Sequence, residues 1–222
     1  MSTEDRIERA RALHERAVFG GEAGALDAAD AELDAVEADL ALARGRIVHE
    51  RLRRERAEHP REASEEDPLE LFERAARLYR ALGDVRGEGE ALLWTGLFHQ
   101  VIRRDDATAV PLLERSRELA ERTGDRLTLS YALRHLGVAE HRAGRLDAAR
   151  ERLEESTRLR REIGLLPGVA ANMVGLAYIA AADGRHDEAS ALIEEASAIA
   201  GASGAHAVAR QLEEARTQVS RD

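Results

Sequence analysis

Cysteine is absent from the 222-residue chain. Disulfides, zinc–thiolate centres and thiol nucleophiles are excluded with it. Lysine is absent too, so all 33 basic residues are arginine, and no phosphate loop ending in Gly-Lys can form. Aromatic residues amount to 3%, and there are only four prolines. No stretch reaches the roughly 18 consecutive apolar residues that a membrane-spanning helix needs. Met1 to Arg11 is polar and charged, unlike a secretory signal. A soluble cytoplasmic protein is therefore expected.

What remains is rich in Ala, Leu, Arg and Glu, all strong helix formers. With few aromatics, Ala and Leu must carry the burial, which suits helices whose backbones approach closely. An all-α fold is expected. The net charge is −10 and unevenly spread. Residues 21–40 hold seven acids (Glu22, Asp27, Asp30, Glu32, Asp34, Glu37, Asp39) and no base, whereas residues 44–56 hold six arginines against Glu50 and Glu55. An antiparallel hairpin would lay these stretches side by side as a charge-complementary pair; the alternative is a basic strip for phosphate or an acidic peptide. The overall acidity argues against a nucleic-acid partner.

The chain also repeats itself. Gly124, Gly164 and Gly204 are spaced 40 residues apart. The string Gly144-Arg145-Leu146-Asp147-Ala148-Ala149 returns as Gly184-Arg185-His186-Asp187-Glu188-Ala189. A fixed period of this size marks stacked helical hairpins.

Apolar periodicity outlines the helices. The first is expected from a cap at Thr3 or Asp5 to about Val18. The second is expected over Glu22–Ala43, burying Leu26, Ala29, Leu33, Val36 and Leu40. Gly45 is expected to end it, with a third helix over Arg46–Glu58 and a polar linker over 60–67. Asp67 then caps a helix with Pro68 at its first position, burying Leu71, Phe72, Ala75, Leu78 and Leu82. A helix carrying Ala91 to Val101 follows, with Trp94 expected in the core, then a turn at Arg104–Asp106. Further helices are expected over 107–122, 127–142, 147–163, 169–182 and 187–200. A more polar helix over 205–219 reads as a solubilising cap.

These units resemble the tetratricopeptide repeat, a helix–turn–helix module of about 34 residues. Its pattern falls on Leu133, Leu136-Gly137, Gly144, Ala149 and Leu153 in one unit, and on Met173, Leu176-Ala177, Gly184, Ala189 and Ile193 in the next. The preceding unit offers Leu92, Thr95-Gly96, Ala109 and Leu113, with a turn one residue longer. The resemblance is good over about 84–203 and weaker before it. The 40-residue spacing is similar to the elongated repeats of kinesin light chains and of the sensor arrays of large bacterial transcription activators. It implies a right-handed superhelical array of about five antiparallel helix pairs plus a C-terminal capping helix. Residues 1–222 would form a single array, in which 1–60 match weakly, 67–203 are clear repeats and 204–222 cap the end.

The resemblance also implies a site. The first helix of each hairpin would line a concave groove, supplying Leu93, Leu97 and Gln100 from one unit. Tyr131, Arg134, Val138, His141 and Arg142 would come from the next, and Val174 and Tyr178 from a third. Such a groove is apolar with a polar centre at Arg134, His141 and Arg142, able to hold a carboxylate of a peptide or protein partner. A second reading is a small-molecule sensor, or an unusual enzyme, with an apolar pocket inside the superhelix. A homodimer is a further possibility. No nucleophile–base pair, metal-ligand spacing or cofactor motif can be named, so no catalysis, metal or cofactor is expected.

Overall fold

The computed structural model describes residues 2–58 and 67–219. Among the described residues there are ten α-helices and no strand. The chain divides into two compact units, Met1–Leu112 and Leu113–Asp222. Within each unit, helices that follow one another in the chain pack as neighbours, from the first to the fourth and from the sixth to the tenth.

In the first unit, α1 (Thr3–Gly20) packs on α2 (Ala25–Glu58). The cap of α1 lies one residue earlier than expected. The Ser2 hydroxyl accepts from the Asp5 amide at 3.1 Å, while the Ser2 amide donates to the Asp5 carboxylate at 2.9 Å. This reciprocal box satisfies two donors that a helix start leaves open.

Residues 25–58 form one helix of 34 residues, where two helices broken at Gly45 were expected. Gly45 answers to packing. A Cβ there would sit 2.6 Å from Cε1 of Phe72, so its absence lets α3 come close. The acidic and basic stretches therefore follow one another along a single helix and do not face each other. Their partners lie elsewhere. Glu32 takes Arg6 and Arg9 at 3.0 and 3.2 Å, Glu37 takes Arg74 at 2.5 Å, and Arg46 pairs with Glu90.

The expected apolar stripe of α2 is also corrected. Ala29 is buried, but Leu26, Leu33 and Leu40 are exposed. The buried rows are instead Ala35, Ala38, Ala41 and Leu42. Small side chains let the neighbouring helices approach, and the leucine row turns outward.

The linker expected over 60–67 lies, apart from Asp67, outside the described residues. The structure resumes with Asp67 accepting from the Leu69 amide at 2.9 Å and Pro68 opening α3 (Pro68–Leu82). Phe72 and Ala75 are fully buried there, together with Tyr79, whose hydroxyl donates to Asp39 at 2.7 Å. After α3 comes α4 (Val85–Leu97), which runs on as a π-helical turn over Phe98–Arg103. This turn absorbs the extra residue of that repeat, and Arg104 closes it at φ 54°. Trp94 packs as expected, stacked on Phe72 at 5.8 Å and edge-on to His49 at 5.7 Å.

The boundary between the units falls inside α5 (Asp106–Thr123). The second unit then contains α6 (Arg126–Arg142), α7 (Leu146–Glu162), α8 (Leu166–Ala182), α9 (His186–Ala202) and α10 (His206–Val219). Gly144 and Gly184 both adopt φ 75° in the tight turns, where a side chain would be strained. Gly137 is small where α6 meets α7: a Cβ would press on Leu153 at 3.1 Å and on the Ala149 carbonyl at 3.2 Å. Ala149, Leu153, Ala189 and Ile193 are all buried at the helix contacts, as their repeat positions imply. α10 buries Leu212, Ala215 and Val219 against α8 and α9 and covers the end of the apolar cluster.

Candidate functional site

Tyr131, Arg134, Val138 and His141 follow one another at three- and four-residue spacing, so α6 presents them along one side. All four are partly buried, and Arg142 is exposed. Arg134 reaches across to α8. Its Nη1 donates to the Ala171 carbonyl at 2.7 Å and to Asn172 Oδ1 at 2.8 Å.

A second arginine meets the same oxygen. Arg160 of α7 is only 2% exposed. Its Nη1 donates to Asn172 Oδ1 and to the Gly168 carbonyl, both at 2.9 Å, and its Nε reaches Ser130 Oγ at 3.4 Å. Its guanidinium carbon lies 4.6 Å from the centre of the Tyr131 ring, a cation–π contact. Asn172 is locked in turn. Its Nδ2 donates to Ser156 Oγ at 2.8 Å and to Thr157 Oγ1 at 3.2 Å, and Ser156 Oγ donates to the Ser130 carbonyl at 2.6 Å. The amide orientation is set by these donors and acceptors together.

Two cationic groups thus share one neutral acceptor. Among the described residues no carboxylate bonds either guanidinium. Nη2 of Arg160 is buried with no hydrogen-bond partner at all. Burial depresses the pKa of both arginines. For Arg160 the nearby Arg134 adds to the effect and Tyr131 opposes it, leaving it at about 10, so it remains charged near neutrality. Buried charge without a counter-charge costs several kcal/mol even after relaxation. Gly168 contributes by being small: a Cβ there would press on Cδ of Arg160 at 3.0 Å.

Of the three residues expected at the polar centre, Arg134 shares the Asn172 oxygen with Arg160. His141 lies two turns further along α6, about 10 Å by helical rise, and burial followed by the Arg142 charge lowers its pKa. Glu140 pairs with Arg145. Val174 is buried, and Tyr178 is half-buried against the cluster formed by α8, α9 and α10. Leu93, Leu97 and Gln100 are 2%, 6% and 1% exposed, and Gln100 donates to Asp106 at 3.0 Å. These three are not presented to solvent. Periodicity carried the signal for Arg160, because Ala149, Leu153, Ser156 and Arg160 continue one buried row of α7.

Among the described residues, no three His, Asp or Glu side chains converge as metal ligands, and no helix is long and apolar enough to cross a membrane.

Residues 90–162 match the family model described as tetratricopeptide repeat. Over that segment the chain is similar to tetratricopeptide repeats. Repeats of this family generally mediate protein–protein interaction. The matched segment includes Tyr131, Arg134 and Arg160, and Asn172 falls beyond it. A solved structure of a putative kinesin light chain from Podosopora anserina, described as having nearly identical TPR-like repeats, is 17% identical to the chain. That match has a TM-score of 0.47 and covers 82% of this chain and 99% of the other. Among curated proteins no match is found.

Proposed function

We propose that this protein captures an acidic segment or C-terminal carboxylate of a protein partner at the Arg134–Arg160 centre. The observation that carries the reading is the unbonded Nη2 of the buried Arg160, beside a second arginine and without a carboxylate on either. A guanidinium is a planar fork suited to two parallel bonds with a carboxylate. An incoming carboxylate would complete the buried donor and neutralise two adjacent charges at once. The half-buried Tyr131 ring would give the peptide chain an apolar wall.

Calorimetric titration with acidic peptides, each made as free acid and as C-terminal amide, tests this reading. Arg134→Ala and Arg160→Met should each weaken binding by about tenfold or more, the scale of a charge-assisted bidentate pair. A preference for the free acid identifies the terminus as the bound group. Equal affinity in both variants and the parent chain would overturn the assignment. Circular dichroism confirms that each variant folds.

A further inference from the structure

The leucine row turned outward on α2 has a regular spacing. Leu26, Leu33, Leu40 and Ile47 follow at seven-residue intervals and are 54%, 46%, 60% and 52% exposed. The row extends about 30 Å along the helix. An exposed apolar seam of this length, on the side of the helix away from its buried Ala35, Ala38, Ala41 and Leu42, marks an interaction surface.

The charges beside the seam specify one. Four residues after each seam position come Asp30, Glu37, Arg44 and Arg51, which therefore run along one flank. Their signs change halfway: two acids precede two arginines. Asp30, Arg44 and Arg51 are exposed and form no ion pair within the chain among the described residues. A parallel copy would carry this flank on the opposite side of the seam, leaving its charges unpaired across the contact. An antiparallel copy keeps this flank on the same side of the seam and can set an acid of one copy against an arginine of the other.

We infer that the Leu26–Ile47 face of α2 is the interface for a second copy of this chain, paired antiparallel about a two-fold axis between Leu33 and Leu40. In this register Leu26 lies opposite the second copy's Ile47, and Leu33 opposite its Leu40. Asp30 faces Arg44 of the other copy, and the symmetry makes the pair twice. Glu37 comes near its own counterpart at the axis, where Arg74 at 2.5 Å within each copy offsets the repulsion. The same surface is used by both molecules, so the contact closes as a dimer and does not extend further.

Sedimentation of the full chain over a range of concentrations should show a reversible monomer–dimer equilibrium. Leu33→Glu and Leu40→Glu, both at exposed positions, should leave helicity intact and raise the dimer Kd by about tenfold or more, because each puts a carboxylate into an apolar contact. Asp30→Arg should weaken the dimer as well, and adding Arg44→Asp in the same chain should restore it, since the pairs reform with exchanged signs.

A chain free of cysteine allows a direct test of orientation, because an introduced thiol can pair only with its copy. Glu37→Cys should give a disulfide-linked dimer. Leu26→Cys, about 30 Å from its counterpart in this register, should not. A chain monomeric at every concentration, a dimer indifferent to Leu33→Glu, or self-linking through Leu26→Cys would each overturn the inference.

Discussion

His49 sits where three aromatic side chains converge. Phe72, Trp94 and Phe98 meet it edge-on at 6.2, 5.7 and 6.5 Å. It is 4% exposed, and its Nε2 has no hydrogen-bond partner. Burial lowers its pKa, with the neighbouring Glu50 and Arg53 acting in opposite directions. The unfolded chain therefore takes up this proton before the folded one does. Stability is fully present above the ordinary histidine value near 6.5 and is lost as pH falls below it. The loss is at most about 1.4 kcal/mol per pH unit for a single group. His99 is shifted in the same direction by burial. Urea melts at pH 7 and pH 5 should show the destabilisation, and His49→Leu should remove part of it. An acid sensitivity unchanged in the variant would mean that other groups set it.

At the scale of elements, two glycines inside helices make opposite predictions. Gly45→Ala should raise helix propensity by about 1 kcal/mol. Its new methyl, however, meets the Phe72 ring at 2.6 Å, and overpacking of this kind costs about 1–3 kcal/mol. The clash wins, and the variant should melt earlier. Gly201, near the end of α9, has nothing within 4 Å of an added Cβ. There the propensity term acts alone, and Gly201→Ala should stabilise by about 0.5–1 kcal/mol. Thermal melts of the two variants decide both.

Gly45, set beside Gly144, shows what could be read from sequence. A glycine at φ 75°, such as Gly144, announces a turn through its place in a repeated string. Gly45 looks the same as a letter, yet it serves the approach of a ring from another helix, which no local pattern encodes. The leucine row of α2 misled for a related reason. Periodicity reveals that one face is apolar, and it cannot say whether that face is covered by the same chain. In the α4 repeat the additional residue is legible, but not the π-helical turn, in which Phe98 and Ile102 are buried in the core.

At the scale of the whole molecule, repeat position was a good guide to burial and a poorer guide to chemistry. It pointed to Arg134, which bonds Ala171 and Asn172 of the next hairpin. It left out Arg160, because groove positions were sought only on the first helix of each pair and this side chain comes from a second helix. Every group of the arginine centre, from Ser130 to Asn172, belongs to the Leu113–Asp222 unit, whereas the α2 seam belongs to the other. The two proposals can therefore be separated by cutting the chain. Residues 105–222 begin at Asp105, whose carboxylate accepts from the Thr108 amide at 3.0 Å, so α5 stays whole and capped. The fragment keeps the apolar cluster of α8, α9 and α10 and the Leu153 contacts between α7 and α8. It should melt cooperatively, bind acidic peptides within about twofold of the parent affinity, a change below 0.5 kcal/mol, and sediment as a monomer at concentrations where the full chain dimerises. A fragment that folds but loses the peptide would move the binding centre away from Arg134 and Arg160, and one that still dimerises would remove α2 from the interface.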